Sequence, residues 1–141
     1  MKIINEPRFR LFAVMWIVAI HSFIVGLGLI IQHPDIMKFS GFGTCSECFF
    51  PAQGGIFHMI MSFAYILAAV DLDKYFSLAF FSIIVKLCAT IFLFTYYFFV
   101  DPIWMVFASG IQDGILFILI LFSFLSYNKW RKEIINKGVV A

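Results

Sequence analysis

Three ionisable residues of this chain lie deep inside long apolar segments, where charged side chains are rare. Lys86, Asp113 and His21 each follow the residue that opens their segment by eleven residues. At about 1.5 Å per residue, this offset is roughly 16 Å, close to the middle of a hydrocarbon layer about 30 Å thick. The three side chains are therefore expected at one depth, where they could relay protons or bind a polar headgroup such as that of a quinone.

Lys86 and Asp113 are predicted to form an ion pair. Their segments are separated by the short turn Asp101-Pro102, which cannot continue a helix, so the two helices are expected to be antiparallel neighbours. One charge at the midplane of a bilayer costs from about 2.5 to more than 10 kcal/mol. Pairing offsets part of that cost for both groups.

Further polar residues flank this pair. Ser82 and Thr90 lie four residues before and after Lys86, on the same helix face. The predicted midplane cluster comprises His21, Ser82, Lys86, Thr90, Gln112 and Asp113. A structural interpretation stands beside the functional one: a buried pair that fixes helix register, with the histidine hydrogen-bonded nearby.

A second reactive group is the CxxC motif formed by Cys45 and Cys48. This spacing suits a plain disulfide, a redox-active pair or half of a zinc site, and we rank them in that order. His33 and His58 flank the pair and would complete four metal ligands, although the spacing matches no standard zinc module. Cys88 is interpreted as a small buried apolar residue.

The composition places these residues in a membrane protein. The 141 residues are 63% hydrophobic and only 13% charged, whereas soluble domains are about a quarter charged. This balance excludes a soluble enzyme, a disordered chain and a nucleic-acid binder. We find no phosphate-binding glycine loop, no HExxH motif and no hydrolase triad, so no nucleotide cofactor is predicted.

Four apolar segments predict one all-α transmembrane domain, an antiparallel four-helix bundle with a single outward loop. The predicted spans are 10–32, 54–70, 75–100 and 103–127, with the loop at 33–53 and a cytoplasmic tail at 128–141.

The basic residues predict the orientation of the chain. Of ten Lys and Arg residues, eight fall on the side of the termini and Lys38 alone on the other. By the positive-inside rule, both termini are expected in the cytoplasm and the protein in the inner membrane. The eight are Lys2, Arg8, Arg10, Lys74, Lys129, Arg131, Lys132 and Lys137.

Several short motifs resemble the DoxX-like superfamily of small four-helix membrane proteins, including its BphX-like relatives. The motifs are Gln32-His33-Pro34, Ser40-Gly41, Gly54-Gly55 and Asp71-Leu72-Asp73. The resemblance covers most of the chain and implies a fold more than a reaction. It does not extend to the CxxC motif or to Lys86.

The position of Cys45 and Cys48 is similar to that of the CxxC motif in the DsbB family of quinone-linked thiol oxidoreductases. That resemblance implies an enzyme with a quinone cofactor. Members of the family need a second cysteine pair in the second outward loop, which here is little more than Asp101-Pro102. Another protein would have to supply that pair.

The sequence thus favours a non-enzymatic inner-membrane protein. Its expected role is that of an accessory subunit, or small-solute or proton handling through the midplane cluster. The expected partners are the lipid bilayer and either another membrane protein or a second copy of the chain, with no nucleic acid. Quinone-linked thiol oxidation is the enzymatic alternative.

Overall fold

The computed structural model describes residues 6–43 and 48–136. Helices make up most of this part of the chain, and no strand occurs in it. Four helices are long and apolar enough to cross a membrane, so the chain is an all-α, multi-pass membrane protein. The helices are α1 (Pro7–Ile31), α2 (Pro34–Phe39), α3 (Phe49–Val70), α4 (Phe76–Phe99) and α5 (Trp104–Asn136).

The first helix has clear signals at both ends. α1 begins at Pro7, whose fixed φ suits the first turn of a helix. It ends at Ile31, because Gln32 adopts a left-handed conformation with a φ of 46° and donates its backbone N–H to the Gly28 carbonyl oxygen. Pro34 then opens the short helix α2 inside the segment predicted to be a loop.

The second membrane helix begins earlier than the sequence predicted. α3 starts at Phe49 rather than at Gly54. Gly55 serves a helix contact and does not mark a helix start: a Cβ atom there would lie 2.6 Å from the Gly26 carbonyl oxygen of α1. Small residues at such a crossing let two helix backbones touch.

The last helix includes much of the segment predicted to be a separate tail. α5 runs for 33 residues to Asn136. Within this extension, Trp130 packs against the apolar core, and Arg131 Nε lies 3.0 Å from Asp73 Oδ1. The stretch 128–136 therefore continues the bundle, while residues 137–141 lie outside the described part.

Contacts between distant residues define two ends of the bundle. Arg8, Asp73 and Arg131 meet at the end that we call the terminal end. Trp104 Nε1 donates to the Phe39 carbonyl oxygen at 2.9 Å at the opposite end, which we call the loop end. α1 packs mainly on α3 and α4 mainly on α5, so the bundle consists of two helix pairs.

The apolar core lies between the terminal end and the depth of Lys86. It contains Leu11, Met15, Val18, Ala19, Tyr65, Ala68, Ala69, Leu72, Ala79, Ile83, Leu116, Ile120, Phe124 and Tyr127. Only 22–28% of the most apolar window of each long helix is buried. Most of the remaining apolar surface therefore faces the lipid bilayer.

Candidate functional site

The structure brings Lys86 of α4 and Asp113 of α5 together. Lys86 Nζ donates a hydrogen bond to Asp113 Oδ1, and the two side chains are only 2% and 6% exposed. α4 and α5 are antiparallel neighbours joined by a short turn, and their packing places the two residues side by side. The surroundings solvate neither charge, so the attraction between the two groups offsets part of the cost of burying each of them.

Two glycines allow α4 to approach α5 at this level. A Cβ atom on Gly114 would lie 3.4 Å from Thr90 Cγ2, and one on Gly110 would lie 3.2 Å from Phe94 Cε1. Small residues at these two positions leave room for the side chains of α4 against the backbone of α5. The contact brings the backbones close enough for the lysine and aspartate side chains to meet.

The hydroxyl groups beside Lys86 do not bond to the charged pair. Thr90 Oγ1 donates to the Lys86 carbonyl oxygen, and Ser82 Oγ donates to the Leu78 carbonyl oxygen, each at 2.7 Å. A hydroxyl has one proton, and both protons are used within α4. Ser82 and Thr90 therefore donate hydrogen bonds to carbonyl oxygens of their own helix, although they lie on the predicted face.

His21 lies beside the pair and not in it. Its Nδ1 atom is buried and has no hydrogen-bond partner among the described residues. The Gln112 side chain of α5 lies near the ring, and Lys86 and Asp113 are both close enough to act on it electrostatically. The half-buried histidine thus places a ring nitrogen without a partner next to a neutralised ion pair.

His58 lies in the same region, at a depth that the sequence did not predict. α3 begins five residues before the predicted span, which places His58 about 14 Å into the helix. The Ser22 hydroxyl of α1 donates to the His58 carbonyl oxygen at 3.1 Å and lies 3.2 Å from Nδ1. The stripe His58, Ser62 and Tyr65 was the sequence signal for this inward position.

This position of His58 corrects the metal-site alternative. The alternative combined His33, Cys45, Cys48 and His58, yet His58 is held by Ser22 inside the bundle. His33 Nδ1 lies 3.7 Å from Asp35 Oδ2 on the exposed start of α2. Within the described ranges, no three histidine, cysteine or acidic side chains are placed to share a metal ion.

The cysteines divide between two locations. Cys48 is exposed and immediately precedes α3, where its carbonyl oxygen accepts a hydrogen bond of 3.0 Å from Gln32 Nε2. Cys45 lies outside the described residues, so the state of the CxxC motif stays a prediction. Cys88 is exposed on α4, which corrects the interpretation of it as a buried residue.

A second polar cluster at the terminal end was missed from the sequence. Asp73 Oδ1 accepts a hydrogen bond of 2.7 Å from the Tyr127 hydroxyl and lies 3.0 Å from Arg131 Nε in an ion pair. Arg8 lies 3.9 Å from Asp73 Oδ2. The aspartate thus connects α1, the α3–α4 turn and α5, and its sequence signal was an acidic turn between two basic termini.

Comparisons with family models, with curated proteins and with solved structures found no match for this chain. The resemblance to the DoxX-like superfamily therefore stays a prediction. What the site can do follows from its chemistry: a neutralised Lys86–Asp113 pair, an imidazole nitrogen without a partner and an amide within reach of that ring. Such a set can accept, donate and transfer protons.

Proposed function

We propose that this chain handles protons or a small polar solute at the cluster of Lys86, Asp113 and His21. The observation that carries the proposal is a buried ion pair beside a buried imidazole nitrogen that has no hydrogen-bond partner. A purely structural pair needs no such neighbour. Intramembrane charges of this kind commonly belong to proton or solute pathways.

We further propose an inner-membrane location with both termini in the cytoplasm. Eight of the ten basic residues lie on the side of the termini, which is the cytoplasmic side by the positive-inside rule. A reporter enzyme that is active only outside the cytoplasm, fused after residue 136 or within 40–43, tests this. Activity is expected from the internal fusion alone.

The resemblance to DoxX-like proteins adds a proposal about context, namely an accessory subunit of a larger membrane assembly or a homo-oligomer. The large apolar residues exposed on all four membrane helices provide surface for such contacts as well as for lipid.

Proton flux into dye-loaded proteoliposomes tests the proposed function. Lys86→Met with Asp113→Leu removes both charges together and leaves neither buried alone, so the fold is expected to persist. We expect flux to fall to the level of empty liposomes in this double variant and at least tenfold in His21→Leu. Asp101→Asn, an exposed acidic residue at the loop end, is the control and should retain wild-type flux. Wild-type flux in the double variant would show that the cluster is structural.

Thiol oxidation remains the second candidate, because Cys48 is exposed at the loop end, where a soluble thiol protein can reach it. Cys45→Ser separates the two candidates. Unchanged proton or solute handling in this variant, combined with its loss in the ion-pair variant, excludes the thiol mechanism.

A further inference from the structure

A groove of about 360 Å³ lies at the terminal end, between the start of α1 and the end of α3, and we call it the terminal groove. Arg8 and Phe12 line its α1 side, and Val70 lines its α3 side. The apolar parts of both helices end at this level, since Arg8 lies in the first turn of α1 and Asp71 follows Val70. In a protein that spans a membrane, the groove therefore crosses the boundary between the hydrocarbon layer and the lipid headgroups.

The part of the terminal groove nearest the chain terminus carries one charge of each sign. Glu6 and Arg8 are both exposed and both line it. The Glu6 side chain forms no cap hydrogen bond with α1, and within the described ranges it takes part in no ion pair. Arg8 Nη2 lies 3.9 Å from Asp73 Oδ2, which is longer than a hydrogen bond. Both side chains thus keep polar atoms that a ligand can bind.

The deeper part of the terminal groove is apolar. Phe9 and Phe12 are each 38% exposed, and their stacked rings have centroids 6.1 Å apart. Phe12 lies about 6 Å deeper in the membrane than Arg8, since four residues of helix separate them. Val70 faces the groove from α3 and is 68% exposed. This order of charged and then apolar side chains matches a ligand with a polar head and a hydrocarbon chain that points into the membrane.

A second groove between the same two helices, at the loop end, shows what the charges add. It is of similar size, about 490 Å³, and none of its lining residues is charged. An apolar groove accepts any acyl chain, whereas two fixed charges of opposite sign can select a headgroup. The loop-end groove is lined by Ile30, Phe49, Ala52, Gln53, Ile56 and Phe57.

We propose that the terminal groove binds a phospholipid whose headgroup carries both a phosphate and a primary ammonium, namely phosphatidylethanolamine. The Arg8 guanidinium donates hydrogen bonds to the phosphate oxygens, and the Glu6 carboxylate accepts them from the ammonium. One acyl chain lies against Phe9, Phe12 and Val70. The site is remote from the buried ion pair, so it does not depend on proton or solute handling there.

The same two charges disfavour other common headgroups. Phosphatidylglycerol has a phosphate for Arg8 but no cation for Glu6, so its negative charge would lie near an uncompensated carboxylate. Phosphatidylcholine has a cation, but its trimethylammonium group has no N–H to donate to Glu6. The expected order of affinity therefore places phosphatidylethanolamine first.

Native mass spectrometry of the full chain in detergent micelles tests this order. The delipidated protein is titrated with phosphatidylethanolamine, phosphatidylglycerol and phosphatidylcholine that have identical acyl chains. We expect phosphatidylethanolamine to bind with a Kd about tenfold lower than either of the others, since hydrogen bonds between charged groups change affinity by this order. Equal affinities for the three lipids would overturn the proposal and indicate acyl-chain contact without headgroup selection.

Substitutions in and beside the terminal groove assign the selectivity to its residues. Arg8→Gln should raise the Kd for phosphatidylethanolamine about tenfold, and Glu6→Gln should abolish the preference over phosphatidylcholine. Gln53→Ala in the loop-end groove is the matched control and should leave both unchanged. Asp73→Asn removes the carboxylate near Arg8 but leaves the groove lining intact, so binding should persist. A loss in Asp73→Asn as large as that in Arg8→Gln would assign the effect to the contact between these two residues and overturn the site.

A soluble analogue separates the lipid from its headgroup. Glycerophosphoethanolamine has the same phosphate and ammonium but no acyl chains, so an excess of it should not displace phosphatidylethanolamine. Displacement would overturn the lipid assignment and indicate a site for soluble phosphate esters. Phosphatidylethanolamine should still bind to the variant Lys86→Met with Asp113→Leu, because neither residue lines the groove. Lipid binding and proton flux therefore fail separately.

Discussion

Two aspartates join helices in this protein under opposite conditions. Asp113 is almost fully buried, and within the described part of the chain its single ionic partner is Lys86. Asp73 is 40% exposed and accepts a hydrogen bond from Tyr127 while lying close to Arg8 and Arg131. The buried pair has no substitute for a lost partner, whereas the terminal cluster has both water and several partners. The same residue type should therefore respond very differently to mutation in the two places.

Removing one member of the buried pair should have the largest effect. Asp113→Leu leaves the Lys86 ammonium unpaired inside the bundle, which costs about 3–5 kcal/mol of the free energy of unfolding. Adding Lys86→Met should restore most of that loss. Denaturation in detergent micelles measures both variants. A single variant as stable as the double variant would show that water already compensates the lysine, and the contrast with Asp73 would disappear.

Removing the acceptor of the terminal cluster should have an intermediate effect. Asp73→Ala leaves the Tyr127 hydroxyl, which belongs to a fully buried side chain, without its acceptor. The expected loss is about 1–3 kcal/mol of the free energy of unfolding. The control Asp101→Ala, in the exposed turn at the loop end, should change it by less than about 0.5 kcal/mol. If Asp73→Ala and Asp101→Ala lowered the free energy of unfolding equally, the contacts of Asp73 would not stabilise the bundle.

Removing single arginines should have the smallest effect. Arg131→Ala is expected to cost about 1 kcal/mol or less of the free energy of unfolding, because its ion pair with Asp73 is exposed to solvent. Most of this loss should come from the contact of the guanidinium with the Phe76 ring, at 4.9 Å from the ring centroid. Arg8 lies farther from the carboxylate, so Arg8→Ala should cost less than that. Salt at 1 M should reduce both losses through screening while leaving the loss in Asp113→Leu nearly unchanged. A strong salt dependence in Asp113→Leu would place that pair in contact with solvent.

The contrast also explains which parts of the site the sequence could predict. Lys86 and Asp113 were identified because a charge inside an apolar segment is conspicuous, and counting residues along a helix gives its depth. Asp73 was not identified, because charges outside the spans are common and nothing local tells which of them meet. Tyr127 lies 54 residues from Asp73 in the chain, so only packing of the helices could bring them together.

Helix ends were predicted less well than helix existence. The sequence Gly54-Gly55 is a typical signal for a helix boundary, and the predicted span therefore began there. In the structure, Gly55 lies inside α3 at the point where α3 crosses α1. α3 begins five residues earlier than predicted, so His58 lies at the level of Ser22 and not at the loop end. An error of five residues in the predicted start of α3 thus led to a predicted metal site that included His58, which the structure places elsewhere.

The sequence by itself determined the class of the protein, its four spans and the two partners of its buried ion pair, because apolar runs and the helical repeat are local properties of the chain. The tertiary structure decided which helices pair, where the core ends and which polar groups stay without partners. Those features depend on contacts between residues far apart in the chain.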